Sequence, residues 1–329
     1  MAQLIPQIFI TLICSLFFGS NASALTLKFL SEQSFEGSTK LGGLRLGGIS
    51  QVQFKQNQVF AVSDDRGSYG GARFVVFDFD HGSRKLKFNR NLLVPKPQFS
   101  KILDLETFHI FENGQILLSS EGDLNQKPRV HPFLNFWQES KGFLEKVVFP
   151  QDFIAESLGL QTKGLQNNLA FESLAVSSDE KSFWIFSESS LFQSQDSKIQ
   201  ILEYQIDQLS KPSNRLSYTR ETHKGPNVEV FRGVSEALWV GPNSFLVLER
   251  WLRLDKKLNR IFGAELFLVK IQPNLVKQKI LTLDGEFQGN WEGLNWIQKP
   301  GSPSILMIVS DNNFDSKVPT RFLYYETQN

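Results

Sequence analysis

The sequence predicts an all-β fold of the β-propeller type, and three features support this prediction. Short runs rich in β-branched and aromatic residues are separated by Gly, Pro, Asn, Asp and Ser. No stretch keeps an apolar period of 3.6 residues for long, so helices are not expected to be the main elements. One hairpin pattern recurs along the chain at intervals of roughly 55 to 65 residues, which indicates a repeat architecture.

The predicted strands are apolar runs bounded by turn residues. The clearest are Val59 to Ser63, Phe74 to Asp80, Gln115 to Ser120, Phe183 to Glu188, Ile199 to Ile206, Phe245 to Glu249, Glu265 to Ile271 and Ile305 to Ser310. One short helix is predicted at Phe153 to Leu158, in the longest connecting segment.

Each repeat is a hairpin that carries a small or acidic residue at both ends. Its copies run from Gly48 to Asp65, Asp104 to Glu121, Phe171 to Glu188, Val234 to Arg250 and Trp291 to Asn313. These copies and one degenerate blade predict a six-bladed ring, while five or seven blades remain open. We expect the terminal segments, Leu25 to Leu30 and Arg321 to Tyr325, to pair in one blade and close the ring. A β-sandwich would not explain why the acidic ends repeat in register.

The composition fits a single β-domain over residues 25–329. Hydrophobic residues make up 41% of the 329 residues, and the 30 Phe side chains are suited to packing sheet against sheet. A net charge of +1 gives no field that would attract nucleic acid or an anionic membrane, so nucleic-acid binding is excluded.

Residues 1–24 are predicted to be a cleavable signal peptide. An apolar run from Leu4 to Phe18 precedes Ala22-Ser23-Ala24, an A-x-A cleavage pattern. A retained membrane anchor fits less well because the run is short for a span. Cleavage would also remove Cys14, the single cysteine of the chain. We therefore expect an exported protein, periplasmic or secreted, with no membrane span after cleavage.

The acidic ends of the repeats are the main candidates for chemistry. Equivalent strand ends in a propeller meet at one mouth of the central channel, so these carboxylates should converge there. The candidates are Asp64, Asp65, Glu106, Glu121, Asp123, Glu172, Glu188, Glu236, Glu249, Glu292 and Asp311.

Crowded carboxylates raise one another's pKa unless cations neutralise them. Calcium, with six to eight oxygen ligands, fits better than zinc because the four histidines form no ligand cluster. The alternative is structural, with each carboxylate accepting backbone N–H groups or pairing with an arginine. The predicted calcium ligands are Asp64, Asp65, Glu106, Glu121, Glu172, Glu249 and Asp311.

Three arginines near the acidic turns, Arg66, Arg73 and Arg250, are predicted to hold an anionic substrate group. The alternative for each is an ordinary surface ion pair, which is the more common case. Other catalytic signatures are absent. The segment from Gly233 to Ala237 places Ser235 in a pattern like a nucleophile elbow but lacks the second glycine.

Several motifs, taken in order from about Gly47 to Phe322, resemble the phytase-like domain family, also described as having esterase-like activity of phytase. They are Gly47-Gly48-Ile49-Ser50, Ser63-Asp64-Asp65-Arg66-Gly67, Ser120-Glu121-Gly122, Asn168-Leu169-Ala170-Phe171-Glu172-Ser173, Leu248-Glu249-Arg250, Glu292-Gly293-Leu294 and Ser310-Asp311-Asn312-Asn313-Phe314.

The resemblance implies a β-propeller, an exported location and hydrolysis of phosphate or carboxylic esters. The chain departs from the usual pattern at three turns: Asp104-Leu105-Glu106-Thr107 stands where Asp-Pro-Glu-Gly is typical, Ser173 replaces a glycine, and Trp251 follows Leu-Glu-Arg where glycine is common. The carboxylates are retained while the glycines are not, which makes activity less secure than fold.

Two hypotheses follow from the sequence. The first is an exported, metal-assisted hydrolase of small anionic esters whose catalytic residues come from Asp64, Glu106, Glu172, Glu292 and Asp311. The second is a non-catalytic binding propeller of the cell envelope, in which the acidic turns are structural.

Overall fold

The computed structural model describes residues 25–328 except 195, 197, 224, 226, 272–274 and 300–301. The predicted signal peptide and Cys14 lie outside the described residues. Within them, the chain forms five four-stranded antiparallel sheets and one two-stranded hairpin. This arrangement confirms the predicted all-β propeller.

Three strands precede blade one: β1 (Thr26–Phe35), β2 (Lys40–Leu41) and β3 (Leu44–Arg45). The later strands follow one another along the chain, four to a blade except in the last blade. Blade one contains β4 (Ile49–Lys55), β5 (Gln58–Ser63), β6 (Arg73–Asp80) and β7 (Lys85–Leu93). Blade two contains β8 (Leu105–Ile110), β9 (Ile116–Ser120), β10 (Phe133–Gln138) and β11 (Gly142–Lys146).

The remaining blades follow the same order. Blade three contains β12 (Phe171–Val176), β13 (Ser182–Ser187), β14 (Lys198–Gln205) and β15 (Asn214–Thr219). Blade four contains β16 (Val228–Gly241), β17 (Ser244–Leu254), β18 (Arg260–Lys270) and β19 (Val276–Leu283). Blade five contains β20 (Asn290–Ile297), β21 (Ile305–Asp311) and β22 (Thr320–Gln328), and β1 is its fourth strand.

The two ends of the chain close the ring. β1 pairs antiparallel with β22, with Thr26 opposite Gln328 and Phe35 opposite Thr320. Blade five therefore contains the first and the last strand, as predicted. This pairing gives the outer edge of β22 a hydrogen-bonded partner.

The structure has five blades rather than the predicted six. Each sequence repeat is the inner hairpin of one complete blade, so the number of copies equals the number of blades. The extra length between the sequence copies lies in long connections, such as 147–170, and in the long strands of blade four.

The helix predicted at Phe153 to Leu158 is wrong. A single 3-10 turn covers Gln151–Phe153, and a second lies at Gly285–Phe287. The chain leaves the first turn at Ile154, whose backbone is extended with φ of −96° and ψ of 117°, and Arg129 donates to the carbonyl oxygens of Glu156 and Gly159 at 2.6 and 2.9 Å. No helix among the described residues is long and apolar enough to cross a membrane.

Five apolar clusters fill the spaces between neighbouring blades. Phe74 of blade one, for example, packs edge-on against Phe108 of blade two at 4.8 Å between ring centroids, and Phe186 of blade three meets Phe245 of blade four at 5.4 Å. Every blade thus buries both of its faces, because each face packs against a neighbouring blade through one of these clusters.

The innermost strands β4, β8, β12, β16 and β20 line the central channel, since each contacts the inner strands of both neighbouring blades. They run in the same direction, so their first residues meet at one mouth. The candidate site lies at this mouth.

Candidate active site

Each inner strand carries a pairing irregularity at the same place, close to its first residues. The register shifts at Ser50, Glu106, Glu172, Ser235 and Glu292, where one extra residue is left unpaired. A β-bulge turns the side chain of the extra residue away from the regular alternation. Three of the five bulges carry a glutamate.

A second set of side chains comes from the end of the neighbouring strand in each blade. The residue opposite the one that precedes the bulge is Ser63, Ser120, Ser187, Glu249 or Ser310. The next residue is therefore equivalent in all five blades. These residues are Asp64, Glu121, Glu188, Arg250 and Asp311.

Together with Asp104, which precedes β8, the two sets place eight carboxylates around the mouth. We call them the acidic ring: Asp64, Asp104, Glu106, Glu121, Glu172, Glu188, Glu292 and Asp311. All are buried except the half-buried Asp64. Carboxylate oxygens of Asp64, Asp104 and Glu106 lie within 4.8 Å of one another, as do those of Glu121, Glu172 and Glu188.

Burial makes it costly for these groups to be charged, and their mutual repulsion adds to the cost. Burial, followed by the charge of Glu172, raises the pKa of Glu121 to about 8. Burial also raises the pKa of Glu188 to about 7 and the pKa of Asp311 to about 6. The pKa values of Glu106 and Glu172 are raised further above the ordinary range, first by burial and then by neighbouring carboxylates.

Arg250 is the cation at the equivalent position in blade four, where the other blades have an acid. Its guanidinium lies 2.5 Å from Glu188, 2.8 Å from Glu292 and 3.7 Å from Glu172. Asn290 accepts a further hydrogen bond from it at 3.0 Å. Arg250 thus links blades three, four and five. Its side chain is 18% exposed, so part of the guanidinium remains accessible at the mouth.

Arg66 is the second cation of the mouth. It pairs directly with Asp104 and lies 4.0 Å from Glu121, and its side chain is 45% exposed. It also donates to Asn168 Oδ1 at 3.3 Å. Two guanidinium groups therefore face eight carboxylates, which leaves the mouth strongly acidic unless protons or cations neutralise it.

Apart from Asp104 Oδ2, which pairs with Arg66, three buried oxygens of the ring have no hydrogen-bond partner among the described residues: Asp104 Oδ1, Glu188 Oε2 and Glu292 Oε2. An unpaired buried carboxylate oxygen is costly, so it needs a proton or a cation nearby. The donors are all hard oxygens, a set that suits calcium better than zinc. The residues present therefore fit a hard divalent cation.

Backbone geometry helps to position Asp64. Gly48 has φ of +60°, and a Cβ atom there would stand 1.8 Å from Asp64 Oδ1. Only glycine lets the chain before β4 pass this close to the carboxylate. Across the same turn, Asp311 Oδ1 accepts the amide of Ile49 at 2.9 Å, which links blades one and five.

Two residues predicted for the site, Asp65 and Arg73, lie outside the ring. The Asp65 oxygens accept the amides of Gly67, Tyr69 and Gly71 at 2.8 to 3.1 Å and the fully buried Arg73 at 3.0 Å. Burial alone would raise the pKa of Asp65, but these hydrogen bonds outweigh it and lower the pKa below its ordinary value. Asp65 and Arg73 hold the loop after β5 and are not available to a metal or a substrate.

Glu249, also predicted as a metal ligand, is turned away from the mouth. It pairs with Arg232 at 3.0 Å and Lys277 at 2.6 Å and accepts the Tyr218 hydroxyl at 2.5 Å. Ser235 is fully buried and donates to the Trp291 carbonyl at 2.9 Å, so it is not placed as a nucleophile.

Asp104 belongs to the ring but was not among the predicted candidates, and Glu188 was a candidate to which no role as metal ligand or catalytic group was assigned. Glu188 follows Ser187 just as Glu121 follows Ser120 and Asp311 follows Ser310, so the Ser-acid ending of the second strand was a usable signal. The other predicted residues, Asp64, Glu106, Glu121, Glu172, Glu292, Asp311, Arg66 and Arg250, all lie at the mouth.

Comparison with known proteins gives one family and several structures. A family model described as phytase-like, esterase-like activity of phytase, matches residues 44–314. No curated protein matches the chain.

Among solved structures, a xylan β-1,4-xylosidase from Bacillus halodurans C-125 is similar with a TM-score of 0.51 and 10% identity. The match covers 88% of this chain and 54% of the xylosidase, so the chain spans about half the length of that protein. A GH62 α-L-arabinofuranosidase catalytic domain from Coprinopsis cinerea gives 0.47 and 11%, covering 91% and 97% of the two chains. At these identities the structural similarity concerns the fold alone.

Proposed function

This chain belongs to the phytase-like family, and from that membership we propose that it is an exported, metal-assisted hydrolase of phosphate or carboxylic esters. The observation that supports this most directly is the acidic ring. Eight carboxylates, seven of them buried, meet two guanidinium groups at one channel mouth. Apart from Asp104 Oδ2, which pairs with Arg66, three of the buried oxygens have no hydrogen-bond partner among the described residues.

Asp64, Asp104 and Glu106 are the residues that would hold a divalent cation, for which we propose calcium. Their oxygens lie within 4.8 Å of one another, and Asp104 Oδ1 has no hydrogen-bond partner in the described part of the chain. A cation bound there would polarise the phosphoryl or carbonyl oxygen of an ester and acidify a bound water.

Arg250 and Glu172 would act on the substrate. Arg250 would bind the anionic group, since its guanidinium reaches the mouth beside Glu292. Burial, followed by the charge of Glu188, raises the pKa of Glu172 well above its ordinary range, which favours the protonated form that a general acid needs. Water would attack the phosphorus or acyl carbon, the bond to the leaving oxygen would break, and the Glu172 proton would pass to that oxygen. A proton from the attacking water would then return Glu172 to its acid form.

Export is part of the same proposal. The apolar run from Leu4 to Phe18 and the Ala22-Ser23-Ala24 pattern support cleavage after Ala24. β1 begins at Thr26, so cleavage there would leave the ring-closing strand intact. The N-terminal sequence of the protein recovered from the periplasm or the medium should begin at Leu25.

The test compares turnover and stability in the same samples. Phosphate release from phytate and hydrolysis of 4-nitrophenyl acetate and butyrate are measured for residues 25–329 in EDTA and in calcium. Glu172→Gln should remove turnover while the melting temperature remains responsive to calcium. The control Glu265→Gln changes a carboxylate that pairs with Arg232 and Lys279 outside the ring, so turnover should persist.

The outcomes separate the two hypotheses from the sequence. Calcium-dependent turnover that Glu172→Gln removes supports the hydrolase. Stabilisation by calcium without turnover on any of these esters would indicate a binding propeller. Full activity in EDTA would refute the metal-assisted reaction.

A further inference from the structure

A cavity of ≈ 200 Å³ opens beside the acidic ring, on the side of blade four. Its walls are mainly apolar, whereas the ring is almost entirely charged. The volume is small for a ligand pocket and suits one ring or a short carbon chain. The apolar walls are Leu169, Phe231, Trp251, Leu252 and Phe262, with Arg250 and Asn290 on the polar side.

The cavity exists because the strands of blade four extend past the ring. β16 has 14 residues where β4 has 7, and its first residue Val228 pairs with Leu254. Leu254 in turn pairs with Arg260 of β18. We call the segments 228–233, 251–254 and 260–263 the blade-four extension. It forms one wall beside the mouth, and the other described inner strands begin at most two residues before their bulge.

Trp251 is held in this wall by two features. Gly263 lies opposite it, and a Cβ atom at that position would stand 2.3 Å from the indole ring. The Arg253 guanidinium lies over the indole at 3.7 Å from its centre. The buried Trp251 Nε1–H has no hydrogen-bond partner among the described residues. The indole is therefore fixed in place beside the cavity.

Arg250 forms the boundary between the ring and the cavity. One side of its guanidinium binds Glu188 and Glu292, and Phe231 lies 5.4 Å from it. A group bound at Arg250 therefore has the carboxylates on one side and the apolar wall on the other.

We propose that this cavity binds the apolar part of the substrate, and that the substrate is a carboxylic ester with a short aliphatic or single-ring acyl group rather than a polyphosphorylated polyol. This inference rests on the proposed hydrolase function. The small number of cations at the mouth supports it, because Arg66 and Arg250 already pair with carboxylates and are too few to hold a ligand that carries several phosphates. The apolar wall, in contrast, favours binding of an apolar group, because removing apolar surface from water is favourable.

The kinetic test uses 4-nitrophenyl esters that share one leaving group. Each methylene buried in the cavity should raise kcat/KM about fourfold, so butyrate should exceed acetate about tenfold or more. Leu252→Trp, which fills the cavity, should abolish this preference, and Phe262→Ala, which removes part of the wall, should reduce it. Leu144→Ala, on the outer strand of blade two, is the matched control and should keep the preference.

A binding test keeps the inference separate from catalysis. Phenylphosphonate and methylphosphonate cannot be hydrolysed, and their affinities for the calcium-loaded protein are measured by calorimetry. Wild type should bind phenylphosphonate at least about tenfold more tightly, and Leu252→Trp should lose this difference. If Leu252→Trp does not fold, Phe262→Ala provides the same comparison.

Each outcome decides one point. A phenyl preference that the cavity variants remove, without turnover of any ester, would support the cavity as a binding subsite and refute the hydrolase. Turnover with equal rates for acetate and butyrate, or a preference unchanged in both cavity variants, would overturn the inference and leave the hydrolase standing. Faster turnover of phytate than of butyrate would also overturn it.

Discussion

Arg250 is the residue on which the charge balance of the mouth depends most. It contacts three carboxylates from two other blades and occupies the position where those blades carry an acid. Removing one partner of a buried ion pair leaves the other charge uncompensated, which costs more than the pair itself contributes.

We therefore predict that Arg250→Gln lowers the free energy of unfolding in EDTA by about 3 to 5 kcal/mol. Urea denaturation measures the change. Arg215→Gln is the control, because Arg215 pairs with Asp152 at a position where both side chains are more than 40% exposed, and it should cost less than about 1 kcal/mol. Equal losses in the two variants would contradict the central role of Arg250.

Glu121 gives the ring a measurable dependence on pH. Its pKa of about 8 in the folded protein exceeds that of an exposed glutamate, so between pH 7 and 9 the folded state holds a proton that the unfolded state has lost. The free energy of unfolding must then fall as the pH rises through this range. His81, His109 and His131 cannot cause this fall, because burial lowers their pKa values and a lowered histidine pKa makes stability rise with pH.

Glu121→Gln should reduce this fall by about 1 kcal/mol in EDTA. The amide can still accept the Ala170 N–H, which Glu121 Oε1 accepts at 2.7 Å. Melting temperatures at pH 7 and 9 provide the measurement, and Glu112→Gln, at a carboxylate 80% exposed, is the control. A pH dependence that is identical in wild type and Glu121→Gln would refute the assignment.

Among the structural elements, the turn before β4 shows how backbone shape sets the site. Gly48→Ala should cost more than the strain of a positive φ angle, because the new methyl group would displace the Asp64 carboxylate. Gly114 is a matched control, with φ of +79° and no atom within 4 Å of an added Cβ. We expect Gly114→Ala to cost about 1 kcal/mol and Gly48→Ala at least about twice that.

Calorimetric titration of both glycine variants with calcium adds a second measurement. Gly48→Ala should weaken calcium binding, since Asp64 is one of the proposed ligands, and Gly114→Ala should not. Similar affinities in the two variants would mean that Asp64 does not contact the cation.

The strands could be predicted from sequence because each depends on a short local pattern. The segment from Phe74 to Asp80, for example, is rich in aromatic and β-branched residues and is bounded by turn residues. The structure has a strand there, at Arg73–Asp80. The bulges could not be predicted in this way, because a bulge depends on which residue of one strand faces which residue of another.

Glu249 and Arg250 show the consequence for the site. Side chains alternate between the two faces of a strand, so an error of one residue moves a side chain to the opposite face. The sequence aligned Glu249 with the acids of the other blades, but the pairing aligns Arg250 with them. The order of residues in this segment could not show whether Glu249 or Arg250 faces the mouth.

At the scale of the whole molecule, stability depends on the pairing of β1 with β22. Without residues 25–35, β22 would become an exposed edge, and the apolar cluster that includes Phe35 would be open to water. A chain starting at residue 37 should aggregate, while a chain starting at residue 25 should elute as a folded species with one cooperative unfolding transition.

Size-exclusion chromatography and circular dichroism provide this comparison. A chain from residue 37 that unfolds cooperatively at the same temperature would show that the ring closes without its first strand. The acidic ring would then have to be tested again for calcium, since its blade-five members Glu292 and Asp311 lie in the same sheet as β1.

The pairing of Thr26 with Gln328 also has a consequence for when the protein can fold. Ribosomes make the first strand some 300 residues before its partner, and a contact between such distant segments forms slowly because a long loop must close. Blade five therefore cannot be completed until residue 328 has been made. Until that moment the newly made chain lacks its final sheet, which leaves a period in which it is open to chaperones, to proteases and to transport in an unfolded state.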